Sequence, residues 1–167
     1  MEEEKIKGKM QDLASLIAYE YSDISWLSQA MNCTKINCAQ QDGKNRDNCV
    51  CKALSTLGDA VLKLILADFC YSQNADCKSI TLEKSEIEKN KNLHEVCIDS
   101  GIIGFAYNEK HFNDEPNIPD HEKPKTTGHD LYVESIIGAI YKDRGFEYAK
   151  NWTVEFLKKY KALTAGE

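Results

Sequence analysis

The chain has 167 residues, 42% of them apolar and 29% charged, which suffices for one globular domain with a sizeable core. Its formal charge of -6 counts against a large basic surface for nucleic acid, although bound divalent cations would change the local sign. No stretch approaches the ~20 apolar residues that span a bilayer, so no membrane partner is expected.

The N-terminus, Met1-Glu2-Glu3-Glu4-Lys5, is acidic and carries no apolar signal core. A cytoplasmic location is the expectation. From Glu3 to Tyr19 the apolar residues Ile6, Met10, Leu13, Leu16 and Ile17 recur with the 3.6-residue helical period. Asp23 is placed to cap a second helix over Ile24 to Met31. Asn32 to Asn48 is polar, contains the turn signal Asp42-Gly43, and reads as a loop. Val50 to Tyr71 has too many apolar residues for a surface helix and is expected to be central.

Thr81 opens a further helix, with Glu83 and Glu86 near its positive end. Asn92 to Asp99 reads as a short helix stopping before Gly101. Ala106 to Gly128 holds all three prolines and reads as a long loop, expected to be the most mobile part of the chain. Two helices follow, His129 to Asp143 and Phe146 to Leu163, broken by Gly145. The tail Thr164-Ala165-Gly166-Glu167 is expected to fray. No segment has a strand period. The expectation is an all-α fold over one domain, residues 1–167.

Seven cysteines in a chain without a secretory signal, and an odd count, argue against a disulfide framework. Cys70 and Cys97 lie among apolar residues and read as core thiols. Cys33, Cys38, Cys49 and Cys51 fall in a polar segment, spaced C-x4-C, then ten residues, then C-x-C. Four such thiolates could hold a structural zinc. The spacing departs from the common zinc patterns, which favours unligated thiols.

Two carboxylates carry the chemistry. Asp59 sits in Leu57-Gly58-Asp59-Ala60-Val61-Leu62 and Glu134 in Tyr132-Val133-Glu134-Ser135-Ile136-Ile137. Each lies in an otherwise apolar helix beside small residues. An unpaired buried carboxylate is costly, so each needs a partner or a cation. Two inward acids on two packed helices could bind one divalent cation, since magnesium accepts one or two protein carboxylates with water and substrate phosphates.

These segments resemble the ribonuclease III family. Lys52-Ala53-Leu54-Ser55-Thr56-Leu57-Gly58-Asp59-Ala60-Val61-Leu62 is similar to the family signature E-R-L-E-F-L-G-D-A-V-L. Glu134-Ser135-Ile136-Ile137-Gly138-Ala139-Ile140-Tyr141-Lys142-Asp143-Arg144-Gly145-Phe146 resembles its second acidic segment, E-A-L-I-G-A-I-Y-L-D-G-G-F. Tyr21 to Met31 and Asn90 to Ile98 resemble two further family segments, so the likeness runs from about residue 18 to 157. Two signature glutamates fall on Lys52 and Ser55, and a third family acid falls on Leu131, with Asp130 one position earlier. Asp59 and Glu134 remain. Short bacterial members without a double-stranded-RNA-binding domain look similar in keeping chiefly this pair.

The resemblance implies an all-helical homodimer that hydrolyses double-stranded RNA with Mg2+, or Mn2+ in its place, leaving 5′-phosphate and 3′-hydroxyl ends. Asp59 and Glu134 would be the catalytic metal ligands, with Asp130 a further candidate and Ser55 at most a ligand through water. The alternative is a ribonuclease III fold without catalysis, serving as an RNA-binding or ribosome-associated scaffold. Lys52, Ser55 and Leu131 favour it, since a lysine near the site competes with a cation. A third reading starts from His129-Asp130, because all-α metal phosphohydrolases also carry an H-D pair. It would need further histidines from His94, His111 and His121.

Overall fold

Residues 1–36, 49–73, 76–124, 132–160 and 162–163 are described by the computed structural model, apart from the side chain of Asn90. Among them run seven α-helices: α1 (Glu3–Leu16), α2 (Ser25–Met31), α3 (Lys52–Ser72), α4 (Cys77–Ile87), α5 (Asn90–Asp99), α6 (Tyr132–Arg144) and α7 (Phe146–Lys159). A 3₁₀ turn, Ile102–Phe105, follows α5. Among the described residues β pairing is limited to three isolated bridges. The all-α expectation holds.

The fold is organised by the contact between α3 and α6. A Cβ on Gly58 would lie 1.7 Å from the Glu134 carbonyl oxygen, and one on Gly138 would lie 2.3 Å from that of Leu54. No side chain larger than hydrogen fits at either position. The two backbones therefore touch, and the register of α3 against α6 is fixed to within one residue.

α6 is buried on nearly every side: Val133, Ile136, Ala139 and Ile140 are fully covered, and Ile137 almost so. Each such isoleucine contributes about 2 kcal/mol by burial. Ser135 ties α6 to α2 by donating to the Ala30 carbonyl at 2.7 Å. Trp152 of α7 donates to the Ile17 carbonyl at 2.9 Å. At the end of α6, the Asp143 carboxylate accepts the Ser22 and Asp23 amides at 2.8 and 2.9 Å and the Tyr19 hydroxyl, so it anchors the turn between α1 and α2.

Several expectations are corrected. α3 was expected at the centre, but α6 takes that place. α3 keeps an open face on which Ala53, Ala60, Leu64 and Tyr71 are exposed, while Leu54, Leu62, Ile65 and Leu66 point inward. α1 stops at Leu16 rather than Tyr19, because Ala18 adopts a left-handed φ of 52°. α4 starts at Cys77 rather than Thr81, because Asp76 caps it by accepting the Ser79 amide at 2.7 Å. Glu83 thus lies in mid-helix and Glu86 in the last turn, both away from its positive end. Asp23 does serve α2, accepting the Ser25 amide at 2.9 Å. Gly145 separates α6 and α7 with φ 80°.

The first part of the proline-containing loop is tied down. Phe112 is fully buried and Tyr107 nearly so. The Asn113 amide donates to Ala106 at 2.8 Å, and Lys5 of α1 pairs with Glu115 at 2.7 Å. Cys38, His129, Asp130, Leu131 and the C-terminal tail lie outside the described residues.

Candidate active site

The glycine contact brings the two acids of the sequence pattern to one edge of the α3–α6 seam. Ser55 lies one turn before Asp59 on α3 and is almost fully buried. Its hydroxyl donates to Glu134 Oε2 at 2.9 Å. Hydrogen bonding to a carboxylate orients it and stabilises the charged form. Ser55 therefore positions Glu134 directly.

Neither acid is buried as the apolar runs imply. The Asp59 side chain is 38% exposed, and its Oδ2 lies 2.6 Å from the ammonium of Lys63, one turn later. Asp59 looks inward-facing in sequence because Leu57, Val61 and Leu62 flank it. At 100° per residue, however, it stands beside exposed Ala60 and Lys63. Glu134 is half-buried.

Lys63 and Glu88 complete the charge set. The Asp59 hydrogen bond holds the Lys63 ammonium in its charged form beyond the usual lysine range, and the charges of Asp59, Glu88 and Glu134 add to this. Asp59 contacts Lys63, and Glu88 and Glu134 lie near enough for their charges to act on it. Glu88 follows the last turn of α4. Its Oε1 is buried without a hydrogen bond, and Lys84 Nζ lies 3.6 Å from it, within ion-pair range only. Lys63 was legible in sequence as the i+4 neighbour of an acid. Glu88 carried no such signal, since only the packing of α4 on α3 brings it here. The lysine expected to compete with a cation was Lys52. It stands about 10 Å along the helix from Asp59, and Lys63 is a second ammonium at the site, in contact with Asp59.

Among the described residues no group of three or more His, Cys, Asp and Glu side chains is arranged to hold a metal ion. The donor set at the seam, two carboxylates and a hydroxyl, is nevertheless the hard oxygen chemistry of Mg2+ and Mn2+. Two protein carboxylates fit magnesium, which completes its shell with water and substrate phosphate oxygens.

The thiols converge elsewhere. Cys49 and Cys51 sulfurs are 3.3 Å apart at the start of α3, and Cys33 Sγ donates to the Tyr107 carbonyl at 3.0 Å. The histidine reading gains no site: His111 sits between Glu115 and Glu122 at 3.2 and 3.3 Å, far in sequence from the acids of the seam.

The model of the ribonuclease III domain matches residues 52–145, from the first residue of α3 to the glycine after α6. Ribonuclease 3 of Caenorhabditis briggsae is 29% identical over 143 residues, 84% of this chain and 12% of that protein. Ribonuclease 3 of Zunongwangia profunda is 28% identical over 142 residues, 84% of this chain and 54% of that protein. The chain thus spans about half the length of the bacterial relative and a small part of the nematode one. Two solved structures of the nuclease domain of ribonuclease III from Campylobacter jejuni share the fold. One has TM-score 0.69 at 20% identity, covering 92% of this chain and 99% of that one; the other has TM-score 0.65 at 23% identity, covering 93% and 97%. The family match spans both helices of the seam and the acid that each contributes, and the chain belongs to the ribonuclease III domain family.

Proposed function

We propose that this protein is an endoribonuclease that cleaves double-stranded RNA by metal-dependent phosphodiester hydrolysis, leaving 5′-phosphate and 3′-hydroxyl ends. The observation that carries the reading is the Gly58–Gly138 contact, which sets Ser55 and Asp59 of α3 against Glu134 of α6 inside the region that matches the family. Asp59 and Glu134 hold the divalent cation, Mg2+ or Mn2+. When bound, it supplies activation of a water and charge neutralisation at the leaving 3′ oxygen.

The protein's own groups prepare this site. Ser55 fixes the orientation of Glu134. Lys63 pairs with Asp59 at 2.6 Å and adds positive charge where the RNA phosphate must approach. Glu88, with one buried oxygen lacking a hydrogen bond, adds the negative charge that the two family glutamates replaced by Lys52 and Ser55 would have supplied. Asp130 remains a candidate further ligand from the segment before α6. Duplex RNA would be recognised by its A-form shape, phosphates and 2′-hydroxyls.

The working form proposed is a homodimer. The exposed stripe Ala53, Ala60, Leu64 and Tyr71 on α3 repeats at helical spacing, with Leu64 56% and Tyr71 73% exposed. Such a stripe is the kind of surface that a second copy covers. One of the Campylobacter nuclease domains has structural flexibility in a region involved in dimer formation. No helix among the described residues is long and apolar enough to cross a membrane, and the free thiols among those residues suit the reducing cytoplasm proposed for it.

The test is incubation of long duplex RNA with the protein and Mg2+, followed by end analysis. Products with 5′-phosphates, lost in Glu134→Gln, support the reading. Binding of the duplex without cutting would replace it with the scaffold.

A further inference from the structure

The residues before α3 hold a second piece of chemistry, independent of the acidic site. Cys49 and Cys51 flank Val50 immediately ahead of Lys52, the first residue of α3. Their sulfurs are 3.3 Å apart, within van der Waals contact. The backbone that presents them is pinned on both sides. Cys49 bridges Lys35, the Val50 amide donates to the Thr34 carbonyl at 3.2 Å, and the Cys51 amide donates to the Asn32 carbonyl at 2.9 Å. On the helical side the Ser55 amide donates to the Cys51 carbonyl at 2.9 Å. Two thiols two residues apart on extended chain share one face, with their Cα atoms about 6.6 Å apart. Here the turn into the helix aims them at each other.

The two sulfurs are unequal. Cys51 is fully buried and Cys49 is half-buried. The hydrogen bond between the two sulfurs holds the Cys49 thiol below the ordinary thiol range, helped by the Lys52 amide and the Lys52 charge. The same hydrogen bond and burial push Cys51 up, so it stays protonated. A half-exposed thiolate beside a buried protonated partner is the arrangement of an oxidisable thiol with a resolving one. The competing reading, a zinc ion held by these two thiols with Cys33 and Cys38, is an outcome that the experiment distinguishes.

We propose that Cys49 and Cys51 form a redox-active dithiol at the N-terminal end of α3, converted by a peroxide into an intramolecular disulfide. In the first step the Cys49 thiolate attacks one peroxide oxygen. An S–O bond forms, the O–O bond breaks, and hydroxide or alkoxide leaves and takes up a proton. The Cys49 sulfur is oxidised by two electrons to a sulfenic acid, and the peroxide is reduced. In the second step the Cys51 sulfur attacks the Cys49 sulfur. The S–S bond forms, the S–O bond breaks, and the Cys51 proton leaves with the hydroxyl as water. Closing the contact from 3.3 Å to a bond of ~2.05 Å requires a shift of about 1.3 Å, within reach of a χ1 adjustment. An external thiol reverses the change by disulfide exchange.

The sequence offers a direct readout. Trypsin cuts after Arg46 and Lys52, so Asp47-Asn48-Cys49-Val50-Cys51-Lys52 carries both thiols in one peptide. The full chain is treated with hydrogen peroxide, alkylated, digested and weighed by mass spectrometry. The expected result is loss of alkylation at both cysteines of that peptide, a mass lower by two hydrogens, and restoration by dithiothreitol. It should precede oxidation of exposed Cys77. In Cys51→Ser, Cys49 should stop as a sulfenic acid that dimedone traps. Three results would overturn the proposal: both thiols still alkylated when Cys77 is already oxidised, Cys49 joined to Cys33 or Cys38, or about one zinc per purified chain with the peptide protected from peroxide.

Discussion

Glu134 is useful as a ligand only if its carboxylate is held still, and Ser55 is the residue that holds it. Ser55→Ala should weaken Mn2+ binding by about tenfold, since removing a hydrogen bond that orients a ligating side chain costs that order. The change in folding stability should be about 1 kcal/mol. A Mn2+ titration and a thermal melt on the same protein separate the two. Lys63 acts in the opposite sense. Its ammonium occupies the Asp59 oxygen that a cation would use, and its raised affinity for the proton keeps that competition in force through neutral pH. Lys63→Gln should tighten Mn2+ binding in the same titration. Cys49 titrates low for the reasons given, so its alkylation by iodoacetamide should rise through a midpoint near about 6, and a midpoint in the ordinary thiol range would contradict that geometry. At this scale the positions of the acids were legible, because a carboxylate in an apolar run stands out. Their environment was not. Burial of Asp59 depends on which side of α3 faces α6, and one residue of rotation separates core from rim.

Two glycines decide how α3 and α6 meet, and they give a sharp contrast with a third. Gly58→Ala drives a methyl onto the Glu134 carbonyl, a backbone atom that cannot step aside. The cost should be about 3 kcal/mol, a fall of roughly 10 °C in melting temperature. Gly8 lies inside α1 with no atom within 4 Å of an added Cβ. Gly8→Ala should instead stabilise by about 0.5–1 kcal/mol through helix propensity. Differential scanning calorimetry of both variants checks the pair. The helices themselves were readable from apolar period, and α2, α5 and α7 fall close to their expected positions. The ends were less so, because caps and single backbone conformations set them. Asp76 lengthens α4 by a turn, and the left-handed Ala18 shortens α1. The hydrogen bonds of Asp143 across to Ser22 and Asp23 explain an acid that sequence comparison marks but does not interpret.

As a whole molecule, the chain has an inner seam and an outer stripe on the same helix. The apolar excess of α3 suggested a central helix because sequence alone does not distinguish a core face from an exposed apolar one. Leu64→Glu, on the exposed side, should yield a monomer in sedimentation velocity while leaving the helical circular dichroism unchanged; a dimer that persists would place the interface elsewhere. The family match over residues 52–145 fits this division, since it covers the seam and the stripe together. The proposed duplex cleavage rests on a reduced acidic set, Asp59 with Glu134. Single-turnover cleavage of long duplex RNA in Mg2+ or Mn2+, run side by side with Asp59→Asn, tests it most directly. The account expects cutting by the native protein and none by the variant, and intact duplex with both proteins, or equal cutting by both, would contradict it.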